Sequence, residues 1–117
     1  MREVLAKLNE MPGIKGSLIV TPDGIVVASR MDEHLNEETT AAHLGNVVTQ
    51  TRRLLEAGRF PPLAEMVLSA TRGRIVIVNL EIFLLVAVTN QYIDLDITIL
   101  EIKSAAKRLR ELATMKV

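Results

Sequence analysis

The 117-residue chain has no cysteine and no tryptophan, only two phenylalanines and one tyrosine, and no excess of either charge. Each shortage excludes something. Without cysteine there is no disulfide framework, no thiol nucleophile and no thiolate metal site. Fourteen Lys plus Arg balance fourteen Asp plus Glu, and aromatics are 3%. A nucleic-acid surface needs basic excess and stacking rings, so none is expected. No apolar run reaches the roughly 18 residues of a membrane span, and the longest is broken at Asn79 and Glu81. The opening MREVLAKLNEMPG carries charges where a signal peptide needs its apolar region. The expectation is a cytoplasmic protein with no membrane insertion. There is no G-x-x-x-x-G-K-[ST], so the chain is not itself a P-loop GTPase; Gly13 to Gly16 is too short and leads into a strand.

What the chain does have is aliphatic. Hydrophobic residues make up 49% of it, and the mean hydropathy of +0.27 is high for a small monomer. That implies apolar surface buried against a partner. The densest stretch is Ile75 to Thr89, IVIVNLEIFLLVAVT. Its second half, Ile82 to Val88, has no polar residue on either face, so both faces of that strand need cover.

The remaining elements follow from spacing and breakers. Val4, Leu5, Leu8 and Met11 predict a short first helix ended by Pro12-Gly13. Ile14 to Thr21 and Ile25 to Arg30 form a hairpin around Pro22-Asp23-Gly24. Gly16, inside its first strand, marks a bulge or a close backbone approach. Asn36 caps a long helix that runs to about Ala57, with Gly58 as the C′ residue and Pro61-Pro62 blocking extension. Leu63 to Thr71, Arg74 to Leu80 and Ile82 to Thr89 form an antiparallel meander. Asp94 or Asp96 caps the last helix, whose apolar stripe is Leu95, Ile99, Ile102, Ala106, Leu109 and Ala113. The order α-β-β-α-β-β-β-α makes an α+β fold of one domain, residues 1–117. It is a three-layer α/β/α sandwich with an antiparallel five-stranded sheet ordered 2-1-5-4-3, strands two and three at the edges.

On the long helix, ~100° per residue gathers Ala41, Leu44, Val47, Val48, Thr51, Leu54 and Leu55 on a sheet-facing arc. The opposite side carries small residues, Ala42, Gly45, Asn46 and Thr49, with Arg52, Arg53 and Glu56 towards its end. A glycine in a helix interior costs ~1 kcal/mol relative to alanine, and small residues let another helix approach. The third strand alternates Met66, Leu68 and Ala70 with Val67, Ser69 and Thr71, an edge poorly protected against pairing. A two-fold axis that joins this edge to its copy at Met66, Val67, Leu68 and Ser69 brings the two long helices together. The expected product is a homodimer.

The segment GSLIVTPDGIVVAS from Gly16, the small-residue helix, and ATRGRIVIV from Ala70 to Val78, in this order, resemble the Roadblock/LC7 domain family over nearly the whole chain. The resemblance implies a homodimer with one continuous sheet through strand three. It also implies a platform of paired long helices for a Ras-like small GTPase. Similar bacterial and archaeal proteins are partners or activators of such GTPases. Eukaryotic relatives are dynein light chains and lysosomal scaffold subunits. The compact chain looks like the bacterial or archaeal form, and almost nothing follows Met115, which favours scaffolding over GTPase activation. Arg52, Arg53 and Glu56, beside the proposed seam, are the expected partner contacts.

No catalytic, metal-binding or cofactor-binding residues are expected. His34 and His43 lie nine positions apart without an obvious third ligand. Ser17, Ser29, Ser69 and Ser104 lack a nucleophile elbow. Helix capping accounts for Asp94 and Asp96, and solvation for Arg72 and Arg74. The second expectation is a small-molecule sensor, for which Asn79, Gln91 and Tyr92 are the few polar groups to line a pocket.

Overall fold

The computed structural model describes residues 1–32 and 34–115. The elements are α1 Arg2–Asn9, β1 Ile14–Val20, β2 Val26–Arg30, α2 Glu37–Ala57, β3 Glu65–Ala70, β4 Gly73–Asn79, β5 Leu84–Thr89 and α3 Leu95–Met115. The sheet order is β2-β1-β5-β4-β3, with every neighbouring pair antiparallel. This is the expected α/β/α sandwich.

The period of two along each strand sends alternate side chains to two separate cores. Leu18, Val20, Ile77, Leu84 and Val86 pack against Leu44 and Val48 of α2. Ile19, Val76, Val78, Leu85 and Ala87 pack against α1 and α3 through Leu5, Ile102 and Leu109. β5 lies in the middle because Leu84, Leu85, Val86 and Ala87 are all buried. Each buried leucine or valine among them contributes ~1.5–3 kcal/mol by leaving water.

The local signals act where expected. Asn36 Oδ1 accepts the Thr39 N–H at 2.9 Å, and Asp94 Oδ1 accepts the Ile97 N–H at 3.1 Å, so Asp94 is the cap of α3. The β1–β5 register shifts between Ile14 and Gly16. A Cβ on Gly16 would also lie 3.0 Å from Met31 Cα, so both reasons for a glycine apply. In the first hairpin the Gly24 N–H donates to Thr21 O at 2.9 Å and the Thr21 N–H to Ile25 O at 2.8 Å. Gly24 takes φ +92°, the bulge residue of a three-residue hairpin loop.

Three expectations need correction. β5 starts at Leu84, and Ile82 is 67% exposed in the preceding turn. The cause is Asn79, whose Oδ1 accepts the Glu81 N–H at 3.0 Å and bends the chain before the apolar run resumes. Gly58 is not in the left-handed region, having φ −83°; Arg59 is, with φ 59°. The Arg59 N–H donates to Glu56 O and the Phe60 N–H to Leu55 O, a Schellman ending with Arg59 at C′. A Cβ on Gly58 would sit 2.9 Å from the ring of Phe60, which is 66% exposed and can move aside. Finally, the sheet-facing arc of α2 is narrower than expected: Val47 is 37% exposed and Leu54 69% exposed.

Candidate interaction surface

α2 lies on its sheet face with Ala41, Leu44, Gly45 and Val48 inward. Its two flanks differ. One faces the β1–β2 hairpin: a Cβ on Gly45 would meet Gly24 Cα at 2.8 Å, and one on Gly24 would meet Ala42 Cα at 3.1 Å. The other faces β3, because the Thr51 hydroxyl lies 3.7 Å from Met66 Sδ. The Thr51 hydroxyl also donates to Val47 O at 2.8 Å, the usual outlet for a threonine within a helix.

The residues singled out for a helix seam are therefore distributed over several surfaces. Gly45 is buried inside the monomer, where its missing side chain makes room for the hairpin turn. Ala42 and Asn46 are exposed and Thr49 half-buried. At ~100° per residue all three turn away from β3. On the β3 side, the same helical step gathers His43, Val47, Gln50 and Leu54, all exposed. Their spacing of four, three and four is that of a helix–helix seam. The spacing is visible in the sequence, but helical periodicity alone places Val47 and Leu54 on the sheet-facing arc.

The β3 edge completes this flank. Met66 packs into the α2 core and Val67 into the α1–α3 core. Leu68 is 37% exposed, and Ser69 and Ala70 are exposed. Glu65 forms a 2.8 Å ion pair with Lys103 of α3. The two sheet edges are unequal. β2 has five residues and a register shift opposite Ile19 and Val20. β3 keeps unbroken register with β4 over all six residues. A bulge blunts an edge, and β3 has none.

The arginines also divide. Arg52 is half-buried, and its Nη2 donates to Asn79 Oδ1 at 2.9 Å. The Asn79 amide in turn donates to Leu63 O at 2.8 Å. Arg52 thus ties α2 to the β4–β5 turn, while Arg53 and Glu56 are exposed. Arg72 is exposed and Arg74 half-buried, beside a shallow depression of about 480 Å³ floored by Leu68, Ile75 and Val88. His34 is exposed at its rim. Among the described residues no three His, Cys, Asp or Glu side chains come together as a metal site. Asn79 is committed to the turn, and Tyr92 is 83% exposed beyond the far end of β5; the polar groups set aside for a sensor pocket do not converge. No described helix is long and apolar enough to cross a membrane.

Asp23, at the tip of the first hairpin, has its carboxyl held below the usual carboxylate range. The hydrogen bond from the Thr21 hydroxyl is the main cause, and the residue's own backbone N–H adds to it.

These features define a class: a small α/β/α domain with a bare sheet edge and an exposed helix flank beside it. The chain belongs to the Roadblock/LC7 domain family, which residues 1–90 match. The uncharacterized protein MJ1340 of Methanocaldococcus jannaschii is 26% identical over 107 residues, covering 92% of this chain and 94% of its own length. Myxococcus xanthus MglB has a TM-score of 0.92 at 15% identity, over 98% of this chain and 88% of that one. The Roadblock/LC7 domain from Streptomyces avermitilis has a TM-score of 0.89 at 13% identity, over 97% of this chain and 98% of that one. At these identities the two solved structures share the fold with this chain.

Proposed function

We propose that the chain is a non-catalytic, cytoplasmic homodimeric scaffold and regulatory partner of a Ras-like small GTPase. The observation that carries this reading is the continuous surface formed by the unprotected β3 edge and the exposed Val47 and Leu54 of α2. Pairing of β3 with its own copy about a two-fold axis normal to the sheet gives one ten-stranded sheet. It places both α2 helices side by side on the same face. The seam then consists of Val47, Leu54 and Leu68, with backbone pairing along Met66, Val67, Leu68 and Ser69. Gly45 acts inside each monomer. Ala42, Asn46 and Arg53 are left on the outer face of the paired helices, and their mostly small side chains permit close approach of a GTPase. Arg53 and Glu56 supply charge at its rim, while Arg52 holds the turn beneath.

The test is calorimetric titration of the dimer with Ras-like GTPases from the same genome, each loaded with GDP or a non-hydrolysable GTP analogue. The reading predicts saturable binding to at least one. Arg53→Ala weakens that binding without lowering the melting temperature. A dimer that binds none of them in either nucleotide state would contradict the GTPase partnership.

A further inference from the structure

We infer that the outward side of α3 is a second self-association face, on which two copies of the chain pair through antiparallel α3 helices centred beside Leu100. This face lies across the sheet from α2 and does not depend on the pairing proposed above. α3 turns Ile102, Ala105, Ala106 and Leu109 inward, where they are buried in the core shared with α1. At ~100° per residue the opposite side runs through Ile97, Leu100, Ser104, Lys107 and Glu111, all exposed. A helix face that meets only water is built of polar and charged side chains. The start of this one is apolar instead. Ile97 is 53% exposed and Leu100 67% exposed. Residues three apart on a helix are neighbours, so the two form one patch. Exposed apolar residues scattered singly are ordinary surface, but a joined pair in the middle of an outer face is not.

The charges beside the patch identify what covers it. Asp96, Lys103 and Lys107 are exposed along one flank of α3, with the lysines about two and three turns after the acid. A two-fold axis normal to the plane of two paired helices reverses their direction and keeps each flank on itself. Centred beside Leu100, it stacks Leu100 on its own copy and Ile97 on the partner's Ser104, whose small side chain lets the helices close. The same operation sets Asp96 between the partner's Lys103 and the partner's Lys107. A parallel pair would instead hold Asp96 level with Asp96 and each lysine level with itself. Lys103 is already fixed on this flank by its 2.8 Å ion pair with Glu65 of β3. An ammonium has three donors, so it serves a second carboxylate as well. The face is complementary to itself, and its occupant is a second copy. In the homodimer proposed above, a two-fold normal to the sheet keeps both α3 helices on the face opposite α2. The contact therefore joins dimers and leaves the α2 surface open. With two apolar residues from each copy it belongs to the small, reversible interfaces below ~1,200 Å², and it forms at higher concentration than the sheet pairing.

Sedimentation equilibrium from micromolar to millimolar concentration tests this. The samples are the wild type, Leu100→Asp, Asp96→Lys, Lys107→Asp and the double variant that combines the two charge reversals. All the substituted residues are exposed, and circular dichroism checks that each variant is folded. The wild type is expected to rise from its low-concentration mass towards twice that mass. Leu100→Asp abolishes the rise, and each single charge reversal weakens it several-fold. The double variant associates more tightly than either single one, because the reversed charges again meet their opposites. The same rise, again lost with Leu100→Asp, is expected in a Leu54→Arg background, so failure of the sheet pairing and failure of the α3 face are read separately. A wild type that keeps its low-concentration mass throughout would overturn the α3 pairing and leave the patch to a partner of another sequence. A rise that Leu100→Asp does not change would remove α3 as the face. A double variant that associates more weakly than both single variants would overturn the antiparallel arrangement.

Discussion

Arg59 holds a backbone conformation that suits glycine. An L-residue with a Cβ costs roughly 1–2 kcal/mol in the left-handed region, and Arg59 sits there at φ 59° as the C′ residue of α2. Its side chain is exposed. Arg59→Gly is therefore expected to stabilise the fold by about 1 kcal/mol, offset slightly by the freer unfolded chain, and to raise the melting temperature by a few degrees. A fall in melting temperature would mean the arginine side chain carries a contact that outweighs the strain. At the first hairpin, Asp23 is expected to titrate below an ordinary carboxylate by NMR, because the Thr21 hydroxyl donates to its ionised form. A lowered folded-state pKa favours folding above the unfolded value, and this contribution disappears as pH falls through the folded one. Thr21→Val should move the midpoint upward; an unchanged midpoint would assign the shift to another group.

At the scale of the element, α2 explains why some of the molecule could be read from sequence and some could not. Its start was legible because Asn36 has a side-chain acceptor at the right place. Its existence was legible from helical spacing, and the sheet order from which strand was apolar on both faces. How far the sheet wraps around the helix was not legible. Helical spacing says which residues share a face, but not where contact with the sheet stops and water begins. Thus Val47 and Leu54 looked like core and are exposed, while Gly45 looked like surface and is buried. Gly45→Ala tests the second point. A methyl there would lie 2.8 Å from Gly24 Cα, backbone that cannot swing aside. Overpacking of this kind costs ~1–3 kcal/mol, read as a lower denaturant midpoint. A neutral result would mean the hairpin turn yields freely. The Arg52–Asn79 bond behaves as one unit with the β4–β5 turn. Asn79→Ala leaves the Glu81 N–H and Leu63 O without that partner and is expected to cost ~1–3 kcal/mol. In a double-mutant cycle, Arg52→Ala should then add less than it does alone. Full additivity would show that the arginine acts elsewhere.

The whole molecule has two α layers of unequal reach. α1 and α3 together close one face of the sheet, whereas α2 alone closes the other and leaves Leu68, Val47 and Leu54 accessible beside a regular strand edge. In the proposed dimer a second copy covers this combination. The resemblance read from the first hairpin, the helix and the meander led to the same family that the full comparison gives. It could not say which flank of α2 lies against the hairpin and which lies towards β3, because that depends on the Thr51–Met66 and Gly45–Gly24 contacts between elements far apart in sequence.

The most direct measurement is the solution mass by light scattering across a dilution series, for the wild type and for Leu54→Arg. Leu54 is already 69% exposed in the monomer, so the substitution leaves the monomer's core alone. In the dimer it removes an apolar contact and buries a charge at two symmetry-related places. The loss is expected to be roughly 3 kcal/mol or more, a weakening of dimerisation on the order of 100-fold. The account predicts a wild-type dimer that Leu54→Arg dissociates, with the variant's circular dichroism unchanged. A wild type that stays monomeric at every concentration, or a Leu54→Arg variant that dimerises as tightly as the wild type, would contradict it.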